Sequence, residues 1–313
     1  MKKCLMNSCR CACLGLLSGI VSITVAGEPG KSTLPAADDQ PAAAKDTFDY
    51  SQPVMFQDSF NANQFRKWEF SVNFVNFKSD KNQARPEQVK IVDGPGLDAG
   101  RHAVRFAVQR GPDSFRSEIC LPSEDGFQER WYGERILVPG EWVYDPNPAA
   151  TIVMQWHALR GNWKPTFPNL AISISNTNWV IRQSFGSAQQ PARTEKILPG
   201  IVDRGVWVSW VIHAKWSPSA DGLLEIWKDG NVVCEYHGTN VYSNIGLAYT
   251  PYLKTGIYHP SWRMDQKNSK QKNDFFNEVN PATNKVVYVT DVKIGSERAR
   301  FADVAPSNLA SKP

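Results

Sequence analysis

Apolar and polar residues alternate with a period of two along much of the chain. This period predicts β-strands, because successive side chains of a strand point to opposite faces of a sheet. Turn-forming residues, mainly Gly, Pro, Asp and Asn, separate the alternating segments. We predict strands over residues 54–60, 88–92, 102–109, 114–121, 131–138, 151–157, 170–175, 179–185, 206–216, 223–228, 232–236, 252–258 and 286–294. No segment has the pattern of a long amphipathic helix.

The order of these segments predicts an all-β fold. The clearest hairpin turn is Lys228-Asp229-Gly230-Asn231, which stands between two apolar runs. The strands do not alternate with helices, as the βαβ units of a parallel sheet would require. We therefore predict an antiparallel β-sandwich of the jelly-roll type, with a concave sheet on which a polymer substrate would lie.

The N-terminus has the layout of a secretory signal peptide. Lys2 and Lys3 precede an apolar stretch at about 14–25, and small residues lead up to Ala26. We predict cleavage after Ala26, and a retained membrane anchor is the alternative. We therefore expect a secreted or periplasmic protein that has no membrane partner once the signal is removed.

Composition divides the rest of the chain into three parts. Residues 27–47 are rich in Ala, Pro, Asp and Lys and contain almost no large apolar side chains, so we predict a disordered linker. Residues 48–304 are predicted to form a single β-domain, and 305–313 a C-terminal tail. We expect the protein to be a monomer.

Removing the predicted signal peptide changes both the cysteine count and the charge. Four of the six cysteines lie in it, which leaves Cys120 and Cys234; these two could pair in an oxidising compartment. Three basic residues also lie there, so cleavage lowers the formal charge of +4 by three. The positive charge that would have favoured nucleic-acid binding is therefore mostly removed with the signal peptide. No cofactor is predicted, and a structural calcium ion is left open, although no acidic loop matches a calcium pattern.

Three predicted strands carry polar pairs on a face opposite apolar residues. In 252–258, alternation places Tyr252, Lys254 and Tyr258 together. Each of these side chains alone would be ordinary on an amphipathic or edge strand. Two phenols and an ammonium on one face are groups that can bind and protonate a charged sugar.

The segment 151–157 has the same character. We predict that its core face carries Ile152, Met154 and Trp156. The opposite face then carries Val153, Gln155 and His157. A single histidine is more often structural than catalytic. We consider His157 a catalytic candidate only because Gln155 and the polar pairs of the other two strands accompany it.

The third pair is Arg116 and Glu118, which share one face of the strand 114–121. They could form an ordinary surface ion pair, which contributes little to stability. Alternatively, Glu118 holds Arg116 so that its planar guanidinium can grip a substrate carboxylate. The two interpretations are compatible.

These three strands resemble a known pattern. Arg-Ser-Glu-Ile at 116–119, Gln-Trp-His at 155–157 and Tyr-Leu-Lys-Thr-Gly-Ile-Tyr at 252–258 resemble, in this order, the signature strands of jelly-roll polysaccharide lyases. The similarity is strongest to the group that contains glucuronan lyases and heparin lyase I, and alginate lyases are more distant. It extends over about 56–295.

The resemblance implies β-elimination at a uronic acid of a 1,4-linked polymer, most simply a glucuronan-like one, with heparin, heparan sulfate or alginate as alternatives. It implies that Arg116 and Gln155 neutralise the substrate carboxylate. It also implies that His157 is the base or a carboxylate neutraliser, and that Tyr258 donates the proton to the leaving oxygen. When the C5 hydrogen and O4 lie on the same side of the ring, Tyr258 could serve as both base and acid.

The predicted substrate-binding residues surround these four. Glu118 and Lys254 would position or bind charged groups, Tyr252 would line a subsite, and Trp163 and Trp262 would stack on sugars because they fall in loop-like contexts. The segment 259–284 contains four basic residues among polar ones. It is either a solvated loop or a basic lid over an anionic polymer.

Two other functions fit a β-sandwich. A retaining glycoside hydrolase would need two carboxylates about 5 Å apart, usually from a Glu-x-Asp-x-x-Glu strand. The chain has no such run, and its nearest approach, 225–229, ends in a hairpin turn. A non-catalytic carbohydrate-binding module would not need His157 and Tyr258.

Overall fold

The computed structural model describes residues 47–61, 65–73, 87–110, 115–144, 150–157, 167–186, 193–242, 249–262, 282–307 and 309. The predicted signal peptide, the predicted linker up to residue 46 and Trp163 lie outside these residues. In the described part of the chain, no helix has the length and apolar character needed to cross a membrane.

The described residues form seventeen strands and a short helix, α1 (Phe301–Val304), and residues 260–262 are also helical. The strands are β1 (Val54–Asp58), β2 (Glu69–Asn73), β3 (Val89–Asp93), β4 (His102–Gln109), β5 (Arg116–Cys120), β6 (Glu124–Asp125), β7 (Glu129–Leu137), β8 (Thr151–His157), β9 (Leu170–Ser175), β10 (Asn178–Phe185), β11 (Arg193–Ile201), β12 (Trp207–Lys215), β13 (Leu223–Lys228), β14 (Asn231–His237), β15 (Tyr249–Thr250), β16 (Tyr252–Tyr258) and β17 (Asn284–Gly295).

These strands make two large antiparallel sheets. The eight-stranded sheet has the order β14-β13-β12-β7-β17-β4-β3, with β1 also paired to β17. The seven-stranded sheet has the order β11-β10-β9-β8-β16-β5-β2, and β6 pairs with β15 in a small ribbon. The Lys228–Asn231 hairpin is present, with Asp229 and Gly230 at positive φ, as a tight two-residue turn requires. The prediction of an antiparallel sandwich is confirmed.

One hydrophobic core joins the two sheets. Trp179 of the seven-stranded sheet meets Trp210 of the eight-stranded sheet edge to face, with ring centroids 5.3 Å apart. Trp156 and Tyr132 make a similar contact at 5.2 Å. Large aromatic side chains dominate core energetics because each buries much apolar surface, and such edge-to-face pairs add roughly 1 kcal/mol beyond that burial. These contacts show which face of each sheet is directed to the core and which is directed outward.

The sequence pattern missed the two edge strands of the seven-stranded sheet, β2 and β11. An edge strand pairs on one side only, so it tolerates residues that a central strand excludes. β11 contains Pro199 and Gly200, and the register shifts where β10 pairs with this end. These residues hide the strand from a search for alternation.

The predicted faces of β8 are correct only at its C-terminal end. The pairing with β9 shifts register between Ile152 and Met154, which indicates a β-bulge. Val153 consequently packs in the core with Met154 and Trp156, whereas Ile152 is not part of that core cluster and pairs with Tyr258. The assignment of Ile152 to the core face and Val153 to the opposite face was therefore wrong.

The end of the chain packs on the outer face of the eight-stranded sheet. Ala305 and Leu309, which the sequence assigned to a tail, are buried there in a small apolar cluster with Val211 and Val304. The two cysteines outside the predicted signal, Cys120 and Cys234, are both buried and are not joined in a disulfide, so the suggested pairing is absent from the structure.

Candidate active site

The three polar strands predicted from the sequence are neighbours in the seven-stranded sheet. β16 lies between β8 and β5. Lys254 pairs with Gln155, and Tyr258 pairs with Arg116. Because cross-strand partners project to the same side of a sheet, these side chains share one face, which we call the site face. It is the face directed away from the sandwich core, since Leu253 and Ile257 of β16 lie in that core.

Glu118 is the centre of the hydrogen bonding on the site face. Its side chain is 2% exposed, its Oε1 accepts a hydrogen bond from Gln155 Nε2, and its Oε2 lies 3.2 Å from Arg116 Nε. A buried carboxylate needs such partners, because an unpaired buried charge is strongly destabilising. Glu118 thus fixes the positions of the two groups that the sequence suggested for carboxylate binding. The sequence predicted its contact with Arg116 but not the one with Gln155.

Tyr258 lies against a cation and an aromatic ring. The guanidinium carbon of Arg116 is 4.4 Å from the centroid of the Tyr258 ring. The ring centroid of Phe115, a core residue, is 6.1 Å from that of Tyr258. Contacts of this kind restrict the orientation of the phenol. The cation that lies over the Tyr258 ring is therefore Arg116, whereas Lys254 lies near Tyr252.

Lys254 lies at the other end of the same face. Its side chain is 8% exposed, and its Nζ is 5.4 Å from the centroid of the Tyr252 ring. Burial by itself opposes the charged form, but interactions with Tyr252, Glu118 and Cys120 outweigh it and raise the pKa of Lys254 above its ordinary value. Lys254 therefore remains a cation at neutral pH.

His157 completes the face beside Tyr252. The two residues pair across β8 and β16, and their ring centroids are 6.4 Å apart. His157 is half-buried, so its ring is partly accessible to solvent. The site face thus carries all four catalytic residues suggested by the sequence, with His157 at the Tyr252 end of β16 and Arg116 at the Tyr258 end.

Gly256 lies between Lys254 and Tyr258 on β16, where the strand approaches β5 closely. It pairs with Glu118 and has a φ of +131°, which residues with a side chain rarely adopt. A Cβ at this position would lie 2.3 Å from the carbonyl oxygen of Ser117. Glycine therefore allows β5 and β16 to approach closely.

A second buried carboxyl lies beneath the site, on the core side of β16. Glu134 of β7 is 2% exposed and accepts a hydrogen bond of 3.0 Å from the Thr255 hydroxyl. Burial raises the pKa of Glu134 to about 8, and the hydrogen bond from Thr255 only partly opposes this. Glu134 is therefore mostly neutral at neutral pH. The sequence pattern did not single it out, because its partner lies on the opposite sheet.

Trp262 does not present a sugar-stacking surface. Its side chain is 1% exposed, and it packs in the core cluster with its ring 4.6 Å from that of His259. Its prediction as a platform was wrong, because the chain turns inward directly after β16. The other predicted platform, Trp163, and the basic part of the predicted lid, 263–281, lie outside the described residues.

The sequence reasoning also passed over Arg182 of β10. It alternates with the core residues Trp179 and Ile181, and this parity could have assigned it to the site face. Among the described residues, no group of three or more His, Cys, Asp or Glu side chains is arranged to hold a metal ion.

Solved structures with a similar fold include two lyases. The endo-β-1,4-glucuronan lyase from the fungus Trichoderma reesei has a TM-score of 0.57 and 20% sequence identity, covering 78% of this chain and 99% of that one. The exolytic alginate lyase AlyA5 from Zobellia galactanivorans has a TM-score of 0.49 and 10% identity, covering 74% of this chain and 95% of that one. At such identities the first likeness concerns the fold alone. No curated protein matches the chain significantly.

The comparison with protein families is more specific. A family model described as polysaccharide lyase matches residues 58–280. This match spans more than half of the chain and contains β5, β8 and β16, the three strands that form the site face. The chain therefore belongs to the polysaccharide lyase family.

Proposed function

We propose that the protein is a secreted lyase that cleaves a 1,4-linked uronic-acid polymer by β-elimination and leaves an unsaturated uronate at the new non-reducing end. Glucuronan is the favoured substrate, and heparin, heparan sulfate and alginate are the alternatives. The signal-peptide pattern at the N-terminus supports secretion. The preference for glucuronan is supported by the motif resemblance, and the fold is shared with an enzyme that is named as a glucuronan lyase.

The observation that carries this proposal is the cross-strand register of β5, β16 and β8. It aligns Arg116 with Tyr258 and Lys254 with Gln155 on one face of one sheet. A β-elimination needs a neutralised carboxylate, a base and an acid within reach of a single sugar ring. Neighbouring strands lie about 4.8 Å apart, and Glu118 contacts both Arg116 and Gln155, which supports a common carboxylate site beside Tyr258. His157 lies opposite Tyr252, six residues along β16 from Tyr258.

Arg116 and Gln155 are proposed to bind the C6 carboxylate of the reacting uronate. Neutralising that carboxylate makes the C5 hydrogen more acidic, because the negative charge that develops after its removal is stabilised. An amide nitrogen carries two hydrogens. Gln155 can therefore keep its hydrogen bond to Glu118 and still donate to the substrate.

Proton transfer is assigned to Tyr258 and His157. We propose that Tyr258 protonates the departing O4, and that the C5 proton is taken by His157 or by Tyr258 itself. A single tyrosine suffices when the C5 hydrogen and O4 are on the same side of the ring, as in glucuronate. Epimers at C5 would require His157 as the base from the other side.

The test is a substrate screen with one variant. The protein is incubated with glucuronan, heparin, heparan sulfate and alginate, and the ultraviolet absorbance of unsaturated uronate is followed. We expect a rise with glucuronan, and we expect Tyr258→Phe to lower kcat by about 10³-fold while polymer binding changes little, because only one proton-transfer group is lost.

Two results would contradict this function. Polymer binding without absorbance from any substrate would indicate a binding module, and new reducing ends without absorbance would indicate a hydrolase. A Tyr258→Phe variant that keeps most of its activity would remove Tyr258 from the chemistry. Phe115→Leu is the matched control, since the Phe115 ring contacts the Tyr258 ring but has no hydroxyl group that could transfer a proton.

A further inference from the structure

A further cation stands on the site face, beyond Gln155. The register pairs Gln155 of β8 with Ala171 of β9, and Ala171 with Arg182 of β10. Arg182 therefore belongs to the same row across the sheet as Lys254 and Gln155. At a strand spacing of about 4.8 Å, the backbone of Arg182 lies about 10 Å from that of Gln155 and about 14 Å from that of Lys254.

The packing of β10 fixes the direction of Arg182. The neighbouring positions Trp179 and Ile181 are buried in the core, at 0% and 1% exposure. Alternation then directs Arg182 away from the core, to the site face. Its side chain is half-buried, so it lies along the sheet surface rather than extending fully into solvent.

The described part of the molecule gives Arg182 no acidic partner. Among the described residues, none is recorded in an ion pair or hydrogen bond with its side chain. On the site face its neighbours along β10 are Val180 and Ser184, which carry no charge. A half-buried guanidinium without an anionic partner is suited to bind an anion from solution.

We propose that Arg182 forms a second carboxylate-binding subsite for a uronate residue near the one that is cleaved. The guanidinium offers parallel N–H groups that match the two oxygens of a carboxylate. The residue between Arg182 and Gln155 in this row is the buried Ala171, so Arg182 is the partly exposed group at this end of the row. The inference rests on the proposed function, since it places the reacting uronate at Gln155.

This subsite contributes to binding rather than to proton transfer. At about 10 Å from Gln155, the backbone of Arg182 is too far away for its side chain to share the reacting carboxylate with Arg116 and still hold a separate group. The protein would therefore prefer runs of consecutive uronates. An isolated uronate between neutral sugars would leave Arg182 unoccupied.

The experiment compares Arg182→Gln and Arg182→Lys with the wild type on size-fractionated glucuronan. For long chains, we expect Arg182→Gln to raise KM by about tenfold with kcat within about twofold, because one charge-assisted contact outside the reaction centre is lost. Arg182→Lys should recover part of the loss. The shortest fragments that are still cleaved should show a smaller effect of the variant. Arg105→Gln on β4 is the control, as Arg105 is also a half-buried strand arginine but lies on the other sheet.

Binding measured without turnover separates this inference from the proposed function. In the Tyr258→Phe background, calorimetry with glucuronan should show a Kd about tenfold higher when Arg182→Gln is added. If the wild type binds glucuronan but never releases unsaturated uronate, the proposed function fails, and a higher Kd in the double variant still supports the subsite.

Three results would overturn the subsite. The first is catalysis with an unchanged KM in Arg182→Gln. The second is an equal loss of affinity in the Arg105→Gln control. The third is a loss seen with heparin but not with glucuronan, which would mean that the group bound is a sulfate and not a carboxylate.

Discussion

The two sheets of the sandwich differ in how their buried cations are paired with carboxylates. On the eight-stranded sheet, Arg130 is 5% exposed and meets Glu124 at 2.6 Å. On the seven-stranded sheet, Arg116 and Lys254 are both close to one carboxylate, that of Glu118, and Arg182 has no recorded carboxylate partner among the described residues. On the first sheet Arg130 is thus paired with a carboxylate and the buried Lys285 donates to the carbonyl oxygen of Val143. On the site face of the second sheet, the described side chains include three cations, Arg116, Lys254 and Arg182, and one carboxylate, Glu118.

This difference indicates which sheet binds the substrate. A paired buried ion contributes to the fold and has little attraction left for a ligand. An uncompensated cationic face generates a positive potential that raises the local concentration of an anionic polymer. The whole chain has a formal charge of only +4, so the distribution of charge, and not its sum, distinguishes the two faces.

Among the substitutions that test this comparison, the largest effect is expected at Glu118, the site-face carboxylate that contacts both Arg116 and Gln155. Glu118→Gln should lower kcat/KM by about 10²-fold, because Gln155 loses its charged acceptor and Arg116 loses its ion pair, so both carboxylate ligands move. Steady-state kinetics on glucuronan measure the loss. Far-ultraviolet circular dichroism checks that the sheet remains folded.

Glu225→Gln on β13 is the matched control. Glu225 accepts a hydrogen bond from His213 at 2.8 Å on the outer face of the eight-stranded sheet, so the change also removes one carboxylate from a partnered position. We expect its kinetics to equal those of the wild type. Similar losses in both variants would show that Glu118 acts through general stability and that the comparison of the two sheets is mistaken.

The sequence was sufficient for the seven-stranded sheet's central strands and for the grouping of their polar residues. Gln155, His157 and Lys254 could be placed because β8 and β16 alternate regularly near them, with Trp156 and Leu253 in the core. That β16 lies between β8 and β5 required the structure, because alternation alone does not show which strands are neighbours.

Other features required the structure because they depend on contacts between distant segments. The bulge in β8 exchanges the roles of Ile152 and Val153, and a one-residue shift of register leaves no trace in composition. Trp262 looked accessible only because it follows a strand and precedes a polar loop. The hydrogen bond between Thr255 and Glu134 crosses the whole core.

A smaller effect, on stability alone, is expected from Glu134, which lies between the two sheets. Burial raises the pKa of Glu134 from 4.5 to about 8, so the folded protein binds a proton that the unfolded chain releases between these values. The free energy of unfolding should therefore fall as the pH rises from about 4.5 to about 8, by up to roughly 5 kcal/mol. Above about pH 8 this contribution should stay constant.

Glu134→Gln tests this sign. Glutamine can still accept the hydrogen bond from Thr255 but cannot ionise. Denaturant unfolding across the pH range should show a clear decrease in wild-type stability and a flatter profile in the variant. Glu235→Gln, an exposed position on β14, should keep the wild-type slope. A variant profile parallel to that of the wild type would mean that Glu134 is not the group that titrates.

The smallest effect is expected from Lys215, and it gives the closest contrast with Arg182. Lys215 pairs with Asp221 at 2.8 Å, but the two side chains are 43% and 59% exposed. Water screens such a pair, so Lys215→Gln should leave the melting temperature and KM unchanged within error. Both this change and Arg182→Gln remove one positive charge from the chain, so any effect of net charge is the same in the two variants.

The dependence of KM on salt separates the effect of position from that of charge. If Arg182 contacts the polymer, its replacement should reduce the slope of log KM against log salt concentration, because one ion contact between protein and polymer is lost. Lys215→Gln should keep the wild-type slope. Equal slopes in the two variants would mean that the polymer responds to total charge, and the seven-stranded sheet would then have no special role in binding it.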